Sequence, residues 1–141
     1  MRRFLFNVSL IVILASCSSR TNFIESSNFA SVVEVQPPDV DSLVIGQDYE
    51  FIVTYNLETT CDNFEEFLIE EDERDLYIGT VVKTVAESGC EIINTQVTSD
   101  EVFLFTAEDN GFDRYEFFFL QNPQAEGESA YIKFEFPLVS E

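Results

Sequence analysis

Apolar and polar residues alternate with a period of two in two segments of the chain, 49–55 and 131–138. Such alternation predicts strands that turn one face to a core and the other to water. Ile52 interrupts the pattern in the first segment. The apolar positions are Tyr49, Phe51, Val53 and Tyr55 in the first segment, and Ile132, Phe134, Phe136 and Leu138 in the second.

Shorter apolar runs predict further strands at a spacing typical of an all-β domain. No segment shows sustained helical periodicity, and Asn110-Gly111 predicts a tight hairpin between two of the runs. We therefore expect a single antiparallel β-sandwich, immunoglobulin-like, of about 7–8 strands over residues 32–141. The further strands are predicted at 31–35, 64–69, 76–85, 91–98, 101–106 and 114–121.

The first 16 residues are predicted to be a signal peptide. Two arginines precede an apolar run, Phe4–Leu14, which is shorter than the roughly 20 residues of a spanning helix. The next residues, Leu14-Ala15-Ser16-Cys17, resemble the lipobox of bacterial lipoproteins. The resemblance implies a diacylglycerol on Cys17, cleavage just before it, and attachment to the membrane through this lipid.

The residues after the lipobox predict where the domain is held. Residues 17–31 are rich in Ser, Asn and Thr and are interpreted as the lipidated Cys and a flexible tether. In lipoproteins the residue after the Cys influences sorting, and here it is Ser18 rather than Asp. This resembles the outer-membrane default, and we expect an anchor that faces the periplasm.

The chain has three cysteines. If Cys17 carries the lipid, Cys61 and Cys90 remain as a pair in an oxidising compartment, where a disulfide forms. Two buried free thiols are the alternative. A redox-active pair is disfavoured because the chain has no Cys-x-x-Cys motif.

The spacing of cysteines and aromatic residues resembles that of small lipoproteins of Bacteroidetes with a predicted immunoglobulin-like domain. The resemblance covers about residues 47–139, and it implies a fold but no activity. The residues that carry it are Cys61-x-x-Phe64-x-x-Phe67, Cys90, Phe103, Phe105 and Tyr115-x-Phe117-x-Phe119.

Composition excludes several functions. The chain of 141 residues has 7 basic and 27 acidic residues, a formal charge of −20, and no His. Nucleic acid is not an expected partner, because phosphate binding requires clustered Lys and Arg. Without His, the Ser-His-Asp and Cys-His catalytic arrangements and all His-based metal sites are excluded.

Two acidic segments, 65–75 and 108–113, are candidate Ca²⁺ sites. Neither has carboxylates at the spacing of a Ca²⁺ loop, and a solvated turn explains each of them. We therefore predict no metal, no cofactor and no catalytic residue. The apolar run 117–120 has apolar side chains on both faces, so one face is either covered or exposed as a patch.

Tyr77 and Tyr131 are predicted to point outward, where a ring could stack on a sugar or a partner; ordinary cross-strand pairing is the alternative. We expect a non-catalytic binding or accessory module of the cell envelope, with another envelope protein or a glycan as its partner. Two alternatives stay open: a carboxylate-type hydrolase acting on an envelope glycan, and a Ca²⁺-stabilised structural module.

Overall fold

The computed structural model describes residues 24–86 and 89–140, which form nine strands and one 3₁₀ turn at Glu128–Ala130. No helix in these ranges has the length and apolar character needed to cross a membrane. The strands are β1 (Ile24–Phe29), β2 (Val32–Gln36), β3 (Leu43–Val44), β4 (Asp48–Thr59), β5 (Asp62–Asp72), β6 (Asp75–Ala86), β7 (Ile92–Thr106), β8 (Arg114–Leu120) and β9 (Tyr131–Val139).

The strands form a six-stranded sheet and a three-stranded sheet. In the large sheet, β5 pairs along one edge of β6, while β8 and β1 share the other edge, β8 at residues 75–78 and β1 at residues 81–86. Strands β9 and β3 continue the large sheet beyond β8. The small sheet has the order β2-β4-β7. The all-β prediction is confirmed, and the arrangement is sandwich-like.

The prediction of an antiparallel sandwich of about 7–8 strands is confirmed only in part, because the large sheet is mixed. Strand β8 runs parallel to β6, and β3 runs parallel to β9. The described residues contain nine strands because β1 and β3 add to the predicted set, whereas the segments predicted at 91–98 and 101–106 merge into β7.

The hairpin predicted at Asn110-Gly111 is wrong, although the local turn forms. The side chains of Asp109 and Asn110 accept hydrogen bonds from nearby amides, and Gly111 has φ 78°. However, β7 belongs to the small sheet and β8 to the large sheet. The reason lies in the core, where Phe105 of β7 packs edge-on against Phe117 of β8 at 5.0 Å between ring centroids. Strands in one hairpin could not face each other across the core in this way.

The core lies between the two sheets and is dominated by phenylalanine. Phe51 of β4 is fully buried, and its ring lies 4.7 Å from that of Phe117 and 5.5 Å from that of Phe119, both on the opposite sheet. The predicted inward faces of β4 and β9 are confirmed, since the alternate residues of both strands contribute to this core.

The sheet begins earlier in the chain than the predicted domain boundary at residue 32. Strand β1 lies within the segment interpreted as a tether, and it pairs antiparallel with residues 81–86 of β6. Its polar sequence gave no apolar alternation. The signal peptide (1–16), Cys17 and the remainder of the predicted tether up to residue 23 lie outside the described residues.

Candidate functional site

Three aromatic side chains meet on the outer face of the large sheet. Tyr77 of β6 and Phe118 of β8 are register partners, and their rings stack with centroids 4.7 Å apart. Tyr131, at the start of β9, meets Tyr77 edge-on at 5.5 Å and Phe118 at 6.0 Å. We call Tyr77, Phe118 and Tyr131 the outer aromatic cluster. The structure thus brings together the two tyrosines predicted to face outward and adds a phenylalanine that was not predicted as a site residue.

The cluster shows how the doubly apolar run 117–120 is accommodated. Phe117 and Phe119 point into the core, whereas Phe118 points outward and is nevertheless only 8% exposed. The two tyrosines cover its ring, and the Lys133 ammonium lies 5.1 Å from its centroid. This outer face is therefore covered by its own neighbours, and the half-buried tyrosines form the accessible part of the cluster.

A shallow apolar recess of about 220 Å³ adjoins the cluster. Phe29 and Leu68 line it together with the two tyrosines. Gly79 allows this arrangement, since a Cβ atom there would lie 2.5 Å from Cε1 of Phe29. Any larger residue at position 79 would displace the Phe29 ring, which packs over β6 at this glycine.

Acidic side chains of β5 border the same two tyrosines, and Glu70 lines both recesses. Glu70, Glu71 and Asp72 of β5 line a second recess, of about 400 Å³, with Tyr77 and Tyr131. Burial raises the pKa of the Tyr77 hydroxyl, and the nearby carboxylates of Asp75 and Asp72 raise it further. Tyr77 therefore stays protonated at neutral pH and can donate a hydrogen bond. The site combines ring surfaces, a hydroxyl donor and several carboxylate acceptors.

An ion cluster centred on the buried Glu116 supports the aromatic cluster from the neighbouring row of the sheet. Glu116 of β8 is 6% exposed, and it bonds to Lys133 and to Nη2 of Arg74 at 3.1 Å. The hydrogen bond from Lys133, helped by the charges of Arg74 and Arg114, lowers the pKa of Glu116 despite its burial. The ionised Glu116 thereby holds Lys133 beside the Phe118 ring.

The pKa shifts of the carboxyl groups are relevant to the alternative of a carboxylate-type hydrolase. A glycosidase needs one carboxyl group with a raised pKa to act as the general acid. The pKa of Glu116 is lowered, and so is that of Asp62. Burial tends to raise the pKa of Asp62, but hydrogen bonds from Thr84 and Thr59 and from backbone amides outweigh this effect.

The two acidic segments adopt ordinary local structure. Segment 65–75 forms most of β5 and the turn into β6, with Glu73 at φ 60°. Segment 108–113 connects the two sheets. Among the described residues, no group of three Cys, Asp or Glu side chains could hold a metal ion.

The predicted disulfide is confirmed. Cys61 lies in the turn between β4 and β5, Cys90 lies just before β7, and their Cα atoms are 5.5 Å apart. The bond joins a loop to a strand end, as the sequence predicted. Next to it, the Asp62 carboxylate accepts four hydrogen bonds of 2.7–2.8 Å that organise the same turn.

Comparison with protein-family models, curated proteins and solved structures found no match to this chain. The outer aromatic cluster and the N-terminal sequence are therefore the features of this chain that bear on its function.

Proposed function

We propose that this chain is a lipid-anchored envelope protein with a non-catalytic β domain that binds a glycan at the outer aromatic cluster. The observation that carries the proposal is the meeting of Tyr77 and Tyr131 beside Glu70, Glu71 and Asp72. Binding sites for small molecules combine apolar and aromatic surface with a few placed polar groups, and this part of the sheet has both.

The chemistry of a sugar fits these groups. A pyranose ring has an apolar face of C–H bonds, which packs on aromatic rings, and a rim of hydroxyl groups, which donate hydrogen bonds to carboxylates. The acidic rim repels uronates and phosphorylated sugars. The expected ligand is therefore a neutral or amine-bearing glycan.

The N-terminal sequence supports the envelope part of the proposal. The lipobox at residues 14–17 supports lipidation of Cys17, and Ser18 supports an outer-membrane location facing the periplasm. The disulfide is consistent with an oxidising compartment. The sandwich-like arrangement supports an immunoglobulin-like relationship, although the parallel pairs β6–β8 and β3–β9 depart from an all-antiparallel sandwich.

Tyr131→Ala is expected to weaken glycan binding at least about fivefold, by analogy with a base stacked on an aromatic side chain, which contributes on the order of 1–3 kcal/mol. The ligand would first be found by screening the full-length lipidated protein, in detergent, against an array of neutral and amine-bearing oligosaccharides. Calorimetry with the best oligosaccharide then compares the variant with the wild type.

Phe112→Ala is the matched control for this measurement. Phe112 is an exposed aromatic residue that lies just before the start of β8, whereas the cluster lies at the other end of this strand. Its loss should therefore leave the glycan affinity unchanged. Equal affinities of wild type and Tyr131→Ala would contradict the proposed site. Binding of none of the oligosaccharides would contradict the glycan-binding function itself.

Cys17→Ala is expected to move the protein from the membrane fraction to the soluble periplasmic fraction, or to leave its signal peptide uncut or miscut, because the lipid is the proposed anchor. Fractionation of cells producing either form, with mass spectrometry of the mature N-terminus, makes the comparison. A processed Cys17→Ala protein that resists extraction from membranes by alkaline washing would overturn the anchoring proposal.

A further inference from the structure

Strand β7 forms an edge of the small sheet, and among the described residues no strand pairs with its outer side. Within residues 24–86 and 89–140, β7 pairs with β4 alone, over residues 97–106 in continuous register. We call the unpaired side of this stretch the β7 edge. A long unpaired edge exposes a row of backbone donors and acceptors, which natural proteins usually cover or use.

The hydrogen-bond pattern shows which amides face this edge. The Ala107 amide donates to the Gln47 carbonyl, so residues of odd number in β7 bond to β4. At the other side of β4, the Asn56 amide donates to the Ser31 carbonyl, so its even residues face β2. The even residues of β7, among them Val102 and Leu104, therefore direct their backbone N–H and C=O groups to the open edge.

The surfaces on either side of the β7 edge differ in character. On the outer face, Ile52, Val102 and Leu104 form an exposed apolar strip, with Val102 51% and Leu104 59% exposed. On the inner side, an open groove of about 410 Å³ separates β7 from β5. An added strand would place alternate side chains against the apolar strip and into this groove.

The side chains around this groove favour a positively charged ligand. Its apolar floor includes Phe105 and Ile69, and four carboxylates surround it, those of Glu71, Glu73, Glu108 and Asp109. None of the described residues lining it is Lys or Arg. Long basic side chains would lay their apolar stems on this floor and pair with the carboxylates.

The same charges disfavour a second copy of this chain as the occupant. The protein has a formal charge of −20, and pairing of two β7 edges would bring Asp100 and Glu101 of both copies together. Glu101 has its side chain on the inward-facing side of β7, a position that natural edge strands use against self-association. Charge complementarity instead favours a basic partner.

We propose that the β7 edge binds an extended segment of a partner protein by strand addition, and that this segment alternates basic and apolar residues. This interaction mode takes affinity from main-chain hydrogen bonds and specificity from alternate side chains. The β7 edge belongs to the small sheet, whereas the outer aromatic cluster is on the large sheet. The inference goes beyond glycan binding and can hold or fail independently of it.

The test uses the full-length protein and a ten-residue peptide of alternating Lys and Val. Amide hydrogen exchange, followed residue by residue by NMR, should show Val102 and Leu104 exchanging rapidly in the free protein. On peptide binding their exchange should slow at least about tenfold. Phe103 and Phe105, already bonded to β4, should change little.

Two controls separate strand addition from attraction between opposite charges. A peptide of the same sequence, N-methylated at every residue so that neither edge has N–H donors, keeps its charge and should lose at least about tenfold in affinity. Leu104→Pro removes one edge donor from the protein, a position where proline is tolerated because this N–H faces solvent.

The Tyr131→Ala variant should bind the peptide as the wild type does.

Equal binding of the plain and N-methylated peptides, or protection that spreads over acidic residues without slowing exchange at Val102 and Leu104, would overturn the proposal. So would equal affinity for a peptide of alternating Glu and Val. If Leu104→Pro fails to fold, the comparison of the two peptides on the wild-type protein still decides the outcome.

Discussion

Phe51→Ala is expected to lower the free energy of unfolding by about 4 kcal/mol, near the middle of the range for a buried Phe cut to Ala. Phe51 is fully buried in β4, the central strand of the small sheet. Its ring contacts Phe103 within its own sheet and reaches Phe117 and Phe136 across the core. Its removal would leave a cavity bounded by both sheets, which rigid strands on two sides can fill only in part.

Urea denaturation of the oxidised protein, followed by circular dichroism, measures this loss. The dependence of the unfolding free energy on urea should be unchanged, because the surface exposed on unfolding is nearly the same. Phe112→Ala is the control, since Phe112 is 40% exposed and its loss should cost less than about 1 kcal/mol. A cost below about 2 kcal/mol for Phe51→Ala would contradict the central position of this ring.

Local pattern predicted which residues of β4 and β9 face the core. Alternation in β4 and β9 correctly identified Phe51, Phe134 and Phe136 as inward-facing, because the two-residue period of a strand is a property of the strand itself. Strand β1 was missed because its sequence is polar, and two-residue β3 is too short to show a period. Both strands are held by their neighbours, which a local pattern does not reveal.

The order of the strands in the sheets could not be predicted from the local pattern of apolar and polar residues. Asn110-Gly111 correctly predicted a turn, but a turn does not determine whether the next strand stays in the same sheet. That choice depends on Phe105 and Phe117 meeting across the core. The parallel pairing of β6 with β8 likewise joins segments that are distant in sequence.

In the candidate site, too, the sequence predicted single residues but not how the strands bring them together. Tyr77 and Tyr131 were predicted individually from their places on outward faces, yet their contact depends on β8 lying between β6 and β9. Phe118 completes the cluster for the same reason. The acidic rim was visible as a run of carboxylates, but its position beside the tyrosines follows only from the pairing of β5 with β6.

Replacement of both Cys61 and Cys90 by Ala is expected to lower the free energy of unfolding by about 3–4 kcal/mol, from the closure entropy of a loop of this length. The two cysteines are 29 residues apart, and the loop that they close contains all of β5 and β6. In the unfolded chain the bond therefore restricts the segments that form β5 and β6 of the large sheet. The melting temperature should fall by more than about 10 °C.

The native turn should survive this double substitution, because other contacts hold it. Thr60 and Glu91 exchange hydrogen bonds beside the disulfide, and Asp62 fixes Thr59 and Thr84. We therefore expect the folded variant to keep its glycan and peptide affinities while unfolding at lower urea. Asp62→Ala in the oxidised protein is the matched comparison, since it removes the hydrogen bonds of the turn and leaves the covalent link. If the double variant unfolded with the wild-type free energy while Asp62→Ala was strongly destabilised, the hydrogen-bonded turn, and not the disulfide, would stabilise this end of the domain.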